Sequence, residues 1–263
     1  MNAASPSLEI KSVSAGYGAS DIIHSVSIVV TGSLVSTIAG PNGAGKSTLV
    51  KAIAGLLRPG AGAIVMDGRD ITDFSPPRRA LAGLGYVPQE QNVFRNLSVQ
   101  ENLLIGFEFV RRGAPASQYV TARDSVLSLF PDLATRLNDA AGTLSGGQRQ
   151  MLATGCALMA EPRILLLDEP SAGLSPRYAH EMLEAVRAIN ARGVTVLLVE
   201  QNLVEAVQIS HNVIVLAAGK VQGTWAAADF LGDPTVQRLF LGGRERRIAA
   251  DQKSGSGHAA SAA

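Results

Sequence analysis

A glycine-rich loop caught between a buried strand and a helix constrains this chain more than any other feature. Residues 40–48 read Gly40-Pro41-Asn42-Gly43-Ala44-Gly45-Lys46-Ser47-Thr48 and satisfy the pattern G-x-x-x-x-G-K-S/T. Glycines let such a loop wrap closely, so its backbone N–H groups point inward at phosphate oxygens. The helix expected from Lys46 adds the positive end of its dipole. Lys46 brings a charge to the β- and γ-phosphates, and the Ser47 hydroxyl can ligate Mg2+. An ordinary glycine turn before a helix would look similar in isolation. Here a strand, Val35 to Ala39, leads in and a helix leads out, which is the context the motif requires.

The rest of the chain supports an α/β sheet. Residues 8–14 (LEIKSVS) and 26–39 (VSIVVTGSLVSTIA) have strand character. A helix is expected from Lys46 to Leu57, stopped by Arg58-Pro59-Gly60. Asp67-Gly68 predicts a hairpin turn, and Gly85 to Pro88 a short strand. From about 90 to 160 the sequence is more helical and polar, and reads as an inserted subdomain. Within it, Ser98-Val99-Gln100-Glu101 is a capping box that starts a helix to about Arg112. Arg163 to Leu167 reads as an unbroken apolar strand, Pro176 to Arg192 a helix, 194–199 another strand, and 212–225 a hairpin turning at 218–220. Strands alternating with helices make the sheet a covered, largely parallel one.

Composition bounds the partners. Of 263 residues, 46% are apolar and 17% charged, which describes a globular chain. A net charge of +1 gives no basic footprint for nucleic acid. The lone Cys156 allows no intrachain disulfide and no thiolate cluster, which fits a reducing compartment. The opening MNAASPSLEIKS lacks a basic segment followed by an apolar core, so a secretory signal is not expected. Ile22 to Gly45 has no charge, but His24, Ser25, Ser27, Thr31, Gly32, Ser33, Ser36 and Pro41 interrupt it, so a membrane span is not expected. The segments 1–7 and 244–263 read as flexible tails, the second polar and then rich in Gly, Ser and Ala.

Two further clusters carry chemistry. Ile164-Leu165-Leu166-Leu167-Asp168-Glu169-Pro170 is an apolar strand that delivers acids at its carboxyl tip, the Walker B arrangement. Asp168 is placed to hold Mg2+, directly or through water, and Glu169 to polarise an attacking water. Leu144-Ser145-Gly146-Gly147-Gln148 then supplies a second anion-binding helix start, which a simple ATPase does not need.

The LSGGQ string together with both Walker motifs resembles the ATP-binding-cassette ATPases, over roughly residues 8–242. The resemblance implies a P-loop NTPase fold: a RecA-like core with an antiparallel β subdomain and an inserted α-helical subdomain. It implies two such domains facing head to tail. Ser145, Gly146, Gly147 and Gln148 of one would then meet the ATP held by the phosphate loop of the other. Gln89, after Tyr86-Val87-Pro88, matches the glutamine that senses Mg2+ and links to the transport partner. Tyr17, in Ala15-Gly16-Tyr17-Gly18, matches the aromatic that stacks on adenine; a turn tyrosine packed on the core is its other reading.

Two positions depart from the family pattern. Ser175 stands where many members have Asp in the loop after Walker B. Gln201, in Leu197-Leu198-Val199-Glu200-Gln201-Asn202, stands where the family places a switch histidine. Glutamine can donate to a phosphate oxygen and accept from a neighbour, but cannot titrate. Glu169 would then activate water alone.

LVEQN, SAGLSP at 171–176 and LFLGG at 239–243 resemble one subgroup, the smaller ATPase of branched-chain amino acid importers, with relatives for urea or short amides. That implies a cytoplasmic protein on the inner face of the membrane. Its partners would be a second ATPase, two permeases and, through them, an external solute-binding protein. Asn92 to Leu97 would help form the groove for a permease loop; a plain connector with Val93, Phe94 and Leu97 buried is its other reading. A lipopolysaccharide-type extraction ATPase is the alternative, but would keep the histidine. Repair or translation members would show two cassettes, insertions or a basic surface. A non-catalytic binding module would not carry Lys46, Asp168 and Glu169 together.

Overall fold

The computed structural model describes residues 8–18, 20–90, 92–237 and 240. The expected tails 1–7 and 244–263 lie outside the described residues, as does most of the LFLGG string. In chain order the elements are β1 (Leu8–Tyr17), β2 (Ser20–Val30), β3 (Val35–Ala39), α1 (Lys46–Ala54), β4 (Ala61–Met66), β5 (Arg69–Asp70), α2 (Pro76–Leu81) and β6 (Leu84–Val87). There follow α3 (Val99–Arg111), α4 (Ala116–Leu129), α5 (Pro131–Ala134), α6 (Gly146–Leu158), β7 (Ile164–Asp168), α7 (Pro176–Ala191) and β8 (Thr195–Val199). The described chain closes with α8 (Leu203–Ile209), β9 (Asn212–Ala217), β10 (Lys220–Ala226) and α9 (Ala227–Phe230).

The strands form two sheets. One is antiparallel, ordered β2-β1-β4-β5; the other is ordered β10-β9-β3-β8-β7-β6. In the second, every pairing from β9 to β6 is parallel and only the β10 edge is antiparallel. The residues of β3, β7 and β8 are buried throughout, because helices or the second sheet cover both faces. One face carries Val87, Leu165, Leu167, Val196 and Leu198 into a core with the helices α3 to α7. The other carries Ile38, Leu166, Leu197 and Val199 against α1 and the antiparallel sheet.

Two expectations change. The segment 26–39 is not one strand: it splits into β2 and β3, which lie in different sheets. The turn at Gly32-Ser33, with Ser33 at φ 58, redirects the chain between them. The helix expected to reach Leu57 ends at Ala54, because Gly55 adopts the left-handed conformation (φ 80) that closes a helix. Ser98 and Glu101 form both halves of the capping box at the start of α3. Among the described residues, no helix is long and apolar enough to cross a membrane.

Candidate nucleotide site

The sheet order explains why distant motifs meet. β8 lies between β3 and β7, so the loop after β3, the Asp168-Glu169 pair after β7 and the Glu200-Gln201 pair after β8 emerge at neighbouring carboxyl ends. Ligands of open α/β sheets bind beyond those ends. Gln89 follows the next strand, β6, and is exposed on the bend after Pro88.

In the phosphate loop, Gly43 and Gly45 take φ 78 and 98, values that a side chain would strain. A Cβ on Gly40 would collide with the Leu216 carbonyl oxygen, so the loop packs tightly on β9. Ala44 is buried, while Pro41 and Asn42 are exposed; Ser47 is part-buried and Thr48 buried at the start of α1. Lys46 is only 5% exposed, and its Nζ donates to the carbonyl oxygens of Gly40 (2.9 Å) and Pro41 (3.1 Å). The ammonium is thus held inside the loop by weak acceptors that an anion can displace.

Asp168 is buried, and its Oδ1 has no hydrogen-bond partner. Burial and then the neighbouring Glu169 charge push its carboxyl up to about 6, against the pull of Lys51 and Lys46. Glu169 continues the β7–β8 ladder, its N–H donating to the Val199 carbonyl at 2.9 Å, and then turns at φ 50. A left-handed Glu costs about 1 kcal/mol or more and persists only where the surroundings enforce it. Gln201 Nε2 donates to Glu169 Oε2 at 2.6 Å. The residue in the switch position therefore touches the carboxylate expected to activate water.

Tyr17 is 52% exposed at the end of β1, with Lys51 Nζ 5.8 Å from its ring centroid, so the ring is not packed into the core. Ser145 caps α6: its Oγ accepts from Gln148 N at 3.2 Å, and Gln148 Oε1 accepts from Ser145 N at 3.1 Å. Gln148 is thereby tied to the helix start. Ser145 and Gly146 are exposed, while Gly147 is buried against Tyr178, where a Cβ would lie 2.5 Å from the ring. Ser175 is exposed ahead of α7 and makes no side-chain cap.

Sequence reasoning left Glu200 unassigned. It is buried at the mouth of the site, and burial pushes its carboxyl upward against hydrogen bonds from Ser171 and Gln201. A legible signal existed: β8 is covered on both faces, so the first polar residue after it can still be internal. Arg79 was also missed. It is 1% exposed and donates to the carbonyl oxygens of Ala52, Ile53, Thr72 and Phe74, which closes the end of α1.

Comparison with known proteins agrees with this geometry. Residues 23–172 match the family described as ABC transporter. The chain is 38% identical over 236 residues to the high-affinity branched-chain amino acid transport ATP-binding protein BraG of Pseudomonas aeruginosa, covering 90% of this chain and 100% of that one. It is 37% identical to the probable branched-chain amino acid transport ATP-binding protein LivF of Archaeoglobus fulgidus, covering 88% and 96%. Lipopolysaccharide export ATP-binding proteins LptB are 33% identical in Haemophilus influenzae (89% and 97% covered) and 37% in Acidithiobacillus ferridurans (89% and 96%). An ATP-binding cassette of an ABC transporter in its ADP conformation superposes with a TM-score of 0.79 at 29% identity, over 90% of this chain and 99% of that one. A family match over more than half the chain, and relatives matched almost end to end, place it plainly: the chain belongs to the ABC transporter family, as an ATP-binding, ATP-hydrolysing cassette.

Proposed function

We propose that this cassette energises uptake of branched-chain amino acids through partner permeases. The observation that carries the ATPase part is the meeting of Lys46, Asp168, Glu169 and Gln201 at neighbouring strand ends. The import part rests on the end-to-end match to BraG, joined to Gln201 where an extraction ATPase would keep a histidine.

In this reading the loop from Gly40 to Ser47, through the backbone N–H groups of every residue but Pro41 and with Thr48 behind them, cradles the ATP phosphates, and Lys46 leaves its loop carbonyls for phosphate oxygens. Tyr17 stacks on the adenine. Asp168, Ser47 and Gln89 would hold Mg2+; the unpartnered, buried Oδ1 of Asp168 is a hard oxygen donor of the kind that ion takes. Bound Mg2+ would neutralise charge developing on the phosphate oxygens. Glu169 accepts the proton of the attacking water. One Gln201 amide hydrogen steadies Glu169 while the second is available to the γ-phosphate. Ser145 and Gly146, with Gly147 and Gln148 shaping the helix start, complete the site of a second cassette facing this one.

The cassette is read as residues 8–242, with the helices between about 90 and 160 as its inserted subdomain. It works in the cytoplasm on the inner membrane face, with two permeases and, through them, an external solute-binding protein. A groove of about 270 Å3 between β6, α3 and α6, bordered by Phe94, Ile105 and Phe109, is the surface for a permease loop.

Two measurements test this. Glu169→Gln should keep ATP binding and lose hydrolysis by about a hundredfold or more; turnover near wild type would remove Glu169 from the mechanism. Gentle purification of the tagged chain from its own membranes should bring two permeases and a second ATPase. Recovery of soluble partners alone would end the transport reading.

A further inference from the structure

Glu200 precedes Gln201 and is 1% exposed. A carboxylate buried this far needs donors. Both oxygens have one: Oε1 accepts from the backbone N–H of Ser171 at 2.9 Å, and Oε2 from the backbone N–H of Gln201 at 3.2 Å. These donors sit on different loops. Ser171 opens the segment after Glu169 that leads to α7, and Ala172 N–H returns to the Glu169 carbonyl at 3.1 Å. Gln201 opens the segment after β8, and its amide meets the Glu169 carboxylate. Glu169 itself is pinned to Val199. The four residues thus form a closed circuit in which Glu200 is the buried link.

We propose that Glu200 is a positioning residue for ATP hydrolysis: its buried carboxylate clamps the Ser171 loop to the backbone of Gln201 and so holds the Gln201 amide against Glu169. The proposal rests on the reading of Glu169 as the group that activates water. An exposed glutamine has several rotamers, and fixing its backbone from below restricts the ones that reach Glu169. Because Gln201 cannot titrate, its only leverage on Glu169 is where its amide sits.

The chemistry requires two acceptors on one short, rigid group. Glutamine at position 200 offers one carbonyl oxygen and an NH2, whose hydrogens would oppose one of the two backbone N–H groups. Glu200→Gln therefore frees one loop while keeping the side chain's shape. Glu200→Asp keeps both acceptors, but its stem, one methylene shorter, cannot bring them to the Ser171 and Gln201 N–H groups together.

The test uses the purified full-length chain and a cycle of E200Q, Q201A and the double variant, with E169Q alongside. E200Q should lower kcat about tenfold or more through misplacement of the reacting groups. Its KM for ATP should stay within about twofold, because the phosphate loop on β3 is not part of the circuit. Bound ATP per chain should equal wild type. Adding E200Q to Q201A should cost nothing further, since both break the same link. Full additivity, or a kcat loss matched by lost ATP-binding stoichiometry, would overturn the proposal in favour of a purely structural role. If E200Q does not fold, E200D enters the same cycle: a non-additive kcat loss supports the clamp, and wild-type kcat overturns it. Turnover by E169Q would instead refute the role of Glu169, with Glu200 intact.

Discussion

Arg79 closes the far end of the helix that begins at the nucleotide site, without approaching that site itself. Its guanidinium is buried beneath α1, where desolvation lowers its pKa to about 10, against the favourable charges of Asp70 and Asp73. It stays charged at neutral pH and gathers four backbone carbonyls, two of them from the last turn of the helix that starts at Lys46. A cation at a helix carboxyl end is favoured by the dipole, and the fork of the guanidinium suits several acceptors at once. Arg79→Met should therefore lower the unfolding free energy by about 3 kcal/mol, the scale of several orphaned carbonyls. Arg79→Lys should recover only part, because an ammonium cannot span acceptors on α1 and on 72–74 together. Urea denaturation of both variants reads the difference, and ATP turnover per folded molecule should be unchanged. Nothing in the local pattern marks this residue: Pro76-Pro77-Arg78-Arg79 reads as a charged surface turn. By contrast the placement of Lys46, Asp168 and Glu169 was legible, because it follows from residue type at a fixed offset from a strand end. Glu200 falls between: its position was legible and its direction was not, since only the pairing of β8 between β3 and β7 makes that strand end internal.

At the scale of elements, the junction of α6 and α7 separates two duties of the LSGGQ string. Gly147 packs under Tyr178, and a methyl there would sit 2.5 Å from the ring carbon Cγ. Gly146 looks out: a methyl at that position would have Leu174 Cδ2 as its nearest neighbour, at 3.9 Å. Gly147→Ala should push α6 from α7 and reduce stability by about 1–3 kcal/mol, as overpacking does. Gly146→Ala should stay within about 0.5 kcal/mol of wild type. If Gly146 closes the site of a facing cassette, its variant should nonetheless lose ATP turnover. Thermal unfolding and hydrolysis, measured on both, distinguish the two glycines; equal stability losses would mean that Gly146 is also a packing residue. Local pattern served the elements well where end signals are chemical. The Ser98–Glu101 box starts α3, and Asp67-Gly68, both at positive φ, turns β4 into β5. It failed at 26–39, where apolar residues continue across Thr31-Gly32-Ser33. Nothing in a run of valines says that its first half pairs with β1 and its second half with β8 and β9.

Over the whole molecule, two places on the sheet stand apart: the carboxyl ends of β3, β8 and β7, where the nucleotide motifs meet, and the flank beside β6, where an apolar groove opens. The groove there draws on residues from β6, α3, α6 and the 92–94 segment, which the parallel order of the sheet alone brings together. Its border is apolar and open to solvent, with Phe94 59% and Phe109 55% exposed. Exposed aromatics grouped around a groove mark an interaction surface rather than a core. Pro88 and Asn92 link it to Gln89: Asn92 Nδ2 donates to the Pro88 carbonyl at 3.2 Å and to Gln150 Oε1 of α6 at 2.7 Å. Movement of the segment bearing Gln89 would thus reach both the groove and the helix that Ser145 caps. Replacing Phe94 and Phe109 by Asp removes apolar area that the isolated chain already leaves in water, so its stability should change by no more than about 1 kcal/mol for the pair. ATP binding and turnover of the purified chain should also persist. Association with permease-containing membranes should fall by about tenfold or more, because two aromatic anchors of a buried contact are replaced by unpaired charges. Sedimentation of the variant with vesicles from the native cell measures this directly. Membrane association at the wild-type level would place the permease contact on another face, and leave the groove beside β6 without that partner.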